Sequence, residues 1–212
     1  MKIIATLLFA VLFTVGQAQS FEGLVTYSFD YISETMDMKQ YKSLLPSEEL
    51  VYIKGNKSRT ESESQFTGKT INIYLPDEGV TYSLMTFDTI KYAVKITHEE
   101  LNEGLNPKIK YLGEEIEILG YPCKKATMEF EGDTETDEVY YTEELPQVAS
   151  DANRFIKGFP LKSTSHEPAQ GITIVKEATS IEEKAVDDSL FEIPDGYQVI
   201  SIDELEERIG NF

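Results

Sequence analysis

Val80-Thr81-Tyr82-Ser83-Leu84-Met85-Thr86-Phe87-Asp88-Thr89-Ile90-Lys91-Tyr92-Ala93-Val94-Lys95-Ile96 is the stretch that decides the fold class. Val80, Tyr82 and Leu84 share one side of a two-residue period, and Ile90, Tyr92, Val94 and Ile96 alternate with Lys91, Ala93 and Lys95. Side chains of a strand point alternately to its two faces, so the spacing predicts two strands, each with a buried face. Asp88-Thr89 turns one strand into the other.

The same pattern extends towards the N-terminus. Lys69 to Leu75 carries Ile71, Ile73 and Leu75 on one face, and Pro76 to Gly79 is a turn. Leu50 to Lys54 is a strand, and Gly55-Asn56 is a two-residue hairpin signal because both residues tolerate positive φ. Lys57 to Ser64 has no apolar face. It is either a strand lining something wet or an edge strand, and the edge is preferred, where charge discourages sheet-to-sheet association. Phe21 to Ile32 alternates Val25, Tyr27, Phe29 and Tyr31 with polar residues. Between these strands, Met38, Tyr41 and Leu45 fall at helical spacing before Pro46, which predicts a short amphipathic helix or helical loop over Glu34 to Leu45.

Towards the C-terminus, His98 to Pro107 reads as a loop or one helical turn, and Gly113 separates two short strands, 108–112 and 115–119. Gly120 and Pro122 interrupt the ladder, which predicts a bulge or tight corner before the strand that runs to Phe130. Glu138 to Thr142 is a further strand. Val148, Ala152, Phe155 and Ile156 form one face of a short helix over 146–157. A strand follows Gly158-Phe159-Pro160-Leu161, 167–171 is its hairpin loop, and Ile172 to Ala185 is a long strand. Residues 187–197 are a turn-rich tail. Ser201 and Glu204 form a capping box for a last helix striped by Ile202, Leu205 and Ile209.

About ten strands at hairpin spacing, with no strand–helix alternation, predict a mainly β fold. The expected architecture is one curved antiparallel sheet, a half-barrel or open barrel, with a few short covering helices. Such a sheet commonly encloses an apolar cavity. Tyr27, Phe29, Tyr82 and Tyr92 are the candidates to line it.

Composition narrows the role. Lys2, the apolar run Ile3 to Val15 and Gly16-Gln17-Ala18 read as a secretory signal peptide over residues 1–18, with one domain over 19–212. That apolar run is shorter than the ~20 residues of a membrane span. No Cys follows the cleavage site, which disfavours a lipid anchor and leaves a periplasmic or secreted protein. The chain has 19 basic and 38 acidic residues, net −19; without Lys2 the balance is 18 − 38 = −20. A field of that sign repels nucleic acid and anionic headgroups.

The single cysteine, Cys123, cannot make an intramolecular disulfide, so the fold rests on its core. It reads as structural, although Lys124 and Lys125 adjoin it. His98 and His166 each stand beside acids without a second ligand at metal spacing, so no metal site is expected. Asp133 to Asp137 resembles the start of a calcium loop, but Glu138 stands where the loop requires Gly. No nucleophile elbow, phosphate loop or dinucleotide fingerprint occurs. The expectation is a non-enzyme without cofactor.

Leu119-Gly120-Tyr121-Pro122-Cys123-Lys124-Lys125-Ala126, Tyr140-Tyr141-Thr142, Gly158-Phe159-Pro160-Leu161 and Phe191-Glu192-Ile193-Pro194-Asp195-Gly196-Tyr197 resemble an exported, uncharacterised family of Bacteroidetes, domain of unknown function 4412. That family is more remotely similar to the lipoprotein-carrier superfamily of LolA and LolB. The resemblance implies a curved antiparallel sheet lidded by helices and a lipid or other apolar ligand; it carries over no site residue. The alternative function is an envelope module that binds a protein through a sheet edge or its acidic face, which Lys57–Ser64 suggests.

Overall fold

The computed structural model describes residues 21–87, 89–132, 135–147, 152–167 and 171–209. The signal-peptide reading and Val148 lie outside these residues. The strands form two antiparallel meanders. The first runs β1 (Glu22–Ile32), β2 (Glu48–Lys54), β3 (Lys57–Ser64), β4 (Gly68–Leu75), β5 (Val80–Phe87) and β6 (Ile90–Thr97). Helix α1 (His98–Asn102) leads to the second: β7 (Lys108–Ile118), β8 (Tyr121–Glu129), β9 (Asp137–Thr142), β10 (Phe159–Glu167) and β11 (Ile172–Glu183). β12 (Tyr197–Ser201) and α2 (Ile202–Ile209) close the chain.

β1 pairs with β11 and so joins the meanders into one twelve-stranded sheet, ordered β12-β6-β5-β4-β3-β2-β1-β11-β10-β9-β8-β7. The mainly β, single-sheet architecture is therefore the observed one. Among the described residues, every pairing is antiparallel except β12 with β6. The alternation of Val80 to Ile96 becomes the β5–β6 hairpin, with Phe87 opposite Ile90. Gly55-Asn56 turns β2 into β3, and Gly55 has φ 63°. Leu119 and Gly120, both at positive φ, form the tight corner between β7 and β8.

The sheet has to bend. β6 and β7 stand ten strand positions apart, about 48 Å along a flat sheet. The link between Thr97 and Lys108, with five residues in helix, reaches only about 30 Å. Side-chain contacts fix the direction of the bend. His98 of α1 stacks on Tyr74 of β4, with ring centroids 4.7 Å apart. Arg154, between β9 and β10, donates to the carbonyl of Leu101 and, at 2.9 Å, to Asn102 Oδ1. One five-residue helix thus bridges β4 to the far meander, so the face bearing Tyr74 is concave.

The register assigns the faces. The concave face carries Tyr74 and Thr81, which are in register with Ser58; Val51, Val25 and Ile181 in another row; and Phe29, Lys176, Ser163 and Val139 in a third. Val25, Tyr27, Val51, Ile53 and Leu161 pack into its central core. On the opposite face, Ile71, Ile73, Leu84 and Ala93 are covered by Val186 and Phe191 of the β11–β12 crossover. Lys54 fastens that crossover to the sheet, 3.0 Å from the carbonyl of Val186 and 3.0 Å from Asp188. α2 packs through Ile202 and Leu205 on Tyr92, Val94 and Ile200 at the β12 edge, with the Ser201–Glu204 capping box formed.

Several expectations are corrected. Lys57–Ser64 is not at an edge: β3 lies between β2 and β4, and Ser58, Arg59 and Thr60 are buried. Its charge is tolerated because Arg59 is paired with Glu61 at 2.6 Å and donates to the Leu190 carbonyl of the crossover at 2.9 Å. The Glu34–Leu45 helix shrinks to one 3-10 turn, Met38–Gln40, with no buried residue. An amphipathic stripe with nothing to pack against has little reason to propagate a helix. The Gly113 break is an irregularity inside the single strand β7. β12 occupies a segment that reads, in part, as turn-rich tail.

Candidate functional site

The concave face opens into a cavity of about 240 Å³ across the seam of the two meanders. Phe29 of β1, Met128 of β8, Val139 of β9 and Ile174 of β11 supply its apolar wall. They converge because the period of two puts each on the concave side of its strand. Ser163 and Ser165 of β10 add hydroxyls, and Glu49, Asp137 and Lys176 add charge.

Lys176 sits on the side of β11 that holds Ile174 and Ala178, where a core residue is the rule. Its Nζ lies 2.5 Å from Glu49 Oε1, and the two side chains are only 12% and 16% exposed. It also lies 4.7 Å from the ring centre of Tyr27 and 5.9 Å from that of Phe29, within reach of cation–π attraction. Glu49 Oε1 is buried and, despite this contact, lacks a hydrogen bond of proper geometry. Burial first, and the Glu49 charge second, push the Tyr31 phenol up to about 12. Tyr31 stays protonated and donates to the Pro46 carbonyl at 2.8 Å. Asp137 accepts from the His166 backbone N–H at 2.9 Å, with His166 Nδ1 at 3.3 Å.

The four sequence candidates part company. Phe29 lines the cavity. Tyr27 is 5% exposed beside it and donates its hydroxyl to the Pro160 carbonyl at 2.6 Å. Tyr92 is buried on the same face but under α2 at the β12 edge. Tyr82 packs on the opposite face against the crossover core. Reading the sequence misses Glu49 and Lys176. The signal is present: each is a lone charge at a position whose neighbours two residues away, Val51 or Ile174 and Ala178, are apolar.

A second, rim cavity of about 480 Å³ lies against Ser33, Glu135, His166 and Glu167. His166 Nε2 is 3.7 Å from Glu135. No group of three metal-ligating side chains occurs among the described residues. Cys123 is fully buried beside Ile118, Phe159 and Leu161, and burial pushes its thiol up to about 11, so it is not a poised nucleophile. Among the described residues, no helix is long and apolar enough to cross a membrane.

Solved structures share this architecture. PNGF-II superposes with a TM-score of 0.60 at 18% identity, over 90% of this chain and 33% of that one, so the chain spans about a third of the PNGF-II length. An uncharacterized conserved protein from Thermus thermophilus matches at TM-score 0.53 and 10% identity, over 88% of this chain and 94% of that one. The Mycobacterium tuberculosis lipoprotein LppX follows at 0.38 and 10%, over 80% and 91%. At these identities the likeness to PNGF-II and the Thermus protein is one of fold. No curated protein matches the chain. By sequence, residues 147–197, which take in β10, β11, the crossover and the first residue of β12, match the family described as Domain of unknown function (DUF4412).

Proposed function

We propose that the chain is an exported binding protein, not an enzyme, that holds a lipid or other small apolar ligand against its concave face. The observation that carries this reading is the cavity walled by Phe29, Met128, Val139 and Ile174. It is a half-open hollow with an apolar wall and a few polar groups, placed where the two meanders meet, which is the form small-ligand sites take. The strap formed by α1, held by Arg154 and stacked on Tyr74, crosses the same face. The signal-like first 18 residues support export.

Native mass spectrometry on protein purified from its own envelope, followed by organic extraction, tests the reading. A near-stoichiometric lipid or other apolar molecule is the expected result. Protein with no adduct, and no uptake of an added medium-chain amphiphile, refutes it. The interaction-module alternative loses β3 as its edge but keeps β7, which is eleven residues long and free along one side in the strand order. Tyr111, Leu112 and Ile116 are exposed along β7.

A further inference from the structure

We propose that the concave cavity selects an uncharged, hydroxyl-bearing amphiphile with one short chain and rejects ionised heads of either sign. The inference rests on the binding-protein reading and specifies its ligand class. The first observation is the charge on the cavity wall. Lys176 is the cation, and Glu49 and Asp137 are carboxylates on the same wall. An anionic head would meet two carboxylates in a protein of net charge −19. The ammonium that would compensate it is already 2.5 Å from Glu49 and over the rings of Tyr27 and Phe29. A cationic head would meet Lys176, which occupies the aromatic faces such a head would use.

The second observation is a supply of neutral hydrogen-bonding groups. Ser163, at 9% exposure, and Ser165 line the cavity. Next to Glu49 the concave face continues through Ser62, and onwards through Thr60 and Asn72. Ser58 and Thr81 lie further along that face, in the Tyr74 row and outside the cavity lining. The uncharged polar side chains of the cavity wall are hydroxyls, which pair with a hydroxyl or amide and need no counter-ion. A hydroxyl both donates and accepts, so it can pair with Ser163 or Ser165 in either sense. The third observation is size. The cavity, about 240 Å³, lies below the range of drug-sized pockets, roughly 300–1,000 Å³, and suits one short chain.

Isothermal titration of the mature chain at neutral pH with monooctanoylglycerol, octanoate and octylammonium tests this, because the three share a chain and differ in head charge. Monooctanoylglycerol is expected to bind at least about tenfold more tightly than either ion. Glu49→Gln, which leaves Lys176 with less opposing charge, is expected to raise octanoate affinity about tenfold, and no gain in octanoate affinity overturns the head-group inference. Either ion binding as tightly as the ester in the unaltered protein overturns the head-group inference and leaves the cavity as a binding site. Failure of all three to bind overturns the binding reading and this inference with it.

Discussion

Replacing Lys176 with Met keeps the volume and the apolar stem and removes the ammonium, so it isolates the charge at the seam. With Nζ and Oε1 2.5 Å apart, the gross attraction at an effective dielectric of about 20 is roughly 7 kcal/mol. Most of that offsets the cost of taking both ions out of water. What the variant exposes is the remaining half of the pair, a Glu49 carboxylate 16% accessible beside apolar side chains. Stranding one member of a buried pair costs about 3–5 kcal/mol, and the partial access of both groups places the expected loss near 3 kcal/mol. The contacts with the Tyr27 and Phe29 rings contribute to the same loss. Urea unfolding followed by far-ultraviolet circular dichroism is the suitable assay, since the chain has no Trp for fluorescence. Adding Glu49→Gln to Lys176→Met removes the stranded charge and is expected to return stability to within about 1 kcal/mol of the unaltered protein. A Lys176→Met protein within about 0.5 kcal/mol of the parent, or a double variant as unstable as the two single losses added, refutes the reasoning.

Cys123 makes a pH-dependent prediction. Its thiol, ordinarily near 9, is raised to about 11 by burial, so the folded state holds a proton that the unfolded state releases. The corresponding stability is complete below about pH 9 and is lost as pH rises to about 11; at 1.36 kcal/mol per unit the loss is about 2–3 kcal/mol. The stability difference between the parent and Cys123→Ala should therefore fall across that window, and a flat difference contradicts the burial argument. Arg154→Ala removes the bonds to Leu101 and Asn102. Amide exchange in residues 98–107 should accelerate about tenfold or more while β1 and β11 stay protected; unchanged exchange there means that Arg154 does not latch the strap.

Local signals carried most of the sheet. The Val80–Ile96 alternation, the Gly55-Asn56 turn and the Ser201–Glu204 box each specify a structure within a few residues, and each is present. Long-range partners decided the rest. β3 reads as exposed because its polar side chains look solvated; the crossover that buries Arg59 lies about 130 residues away in the chain. β12 exists because β6 offers it an edge, and its own five residues give little sign of that. The Glu34–Leu45 stripe has helical spacing without a surface to cover. Of the site, Phe29 and Tyr27 were legible as aromatics on an alternating strand, whereas register turns Tyr82 to the opposite face and Tyr92, on the concave face, is taken up under α2 at the β12 edge. Glu49 and Lys176 meet only through the pairing of β1 with both β2 and β11.

That central seam also sets the order of assembly. Val25 faces Ile181, and 181 − 25 = 156 residues separate them in sequence. At synthesis rates of about 5–20 residues per second, β1 waits roughly 10–30 s for its partner to be made. Contacts of such long sequence separation also slow folding once the chain is complete. Through that interval the first meander presents Val25, Tyr27 and Phe29 on an unpaired edge, the kind of surface that seeds aggregation. Acidic self-repulsion between neighbouring nascent chains opposes that association while the sheet is still half made, well before any ligand is met.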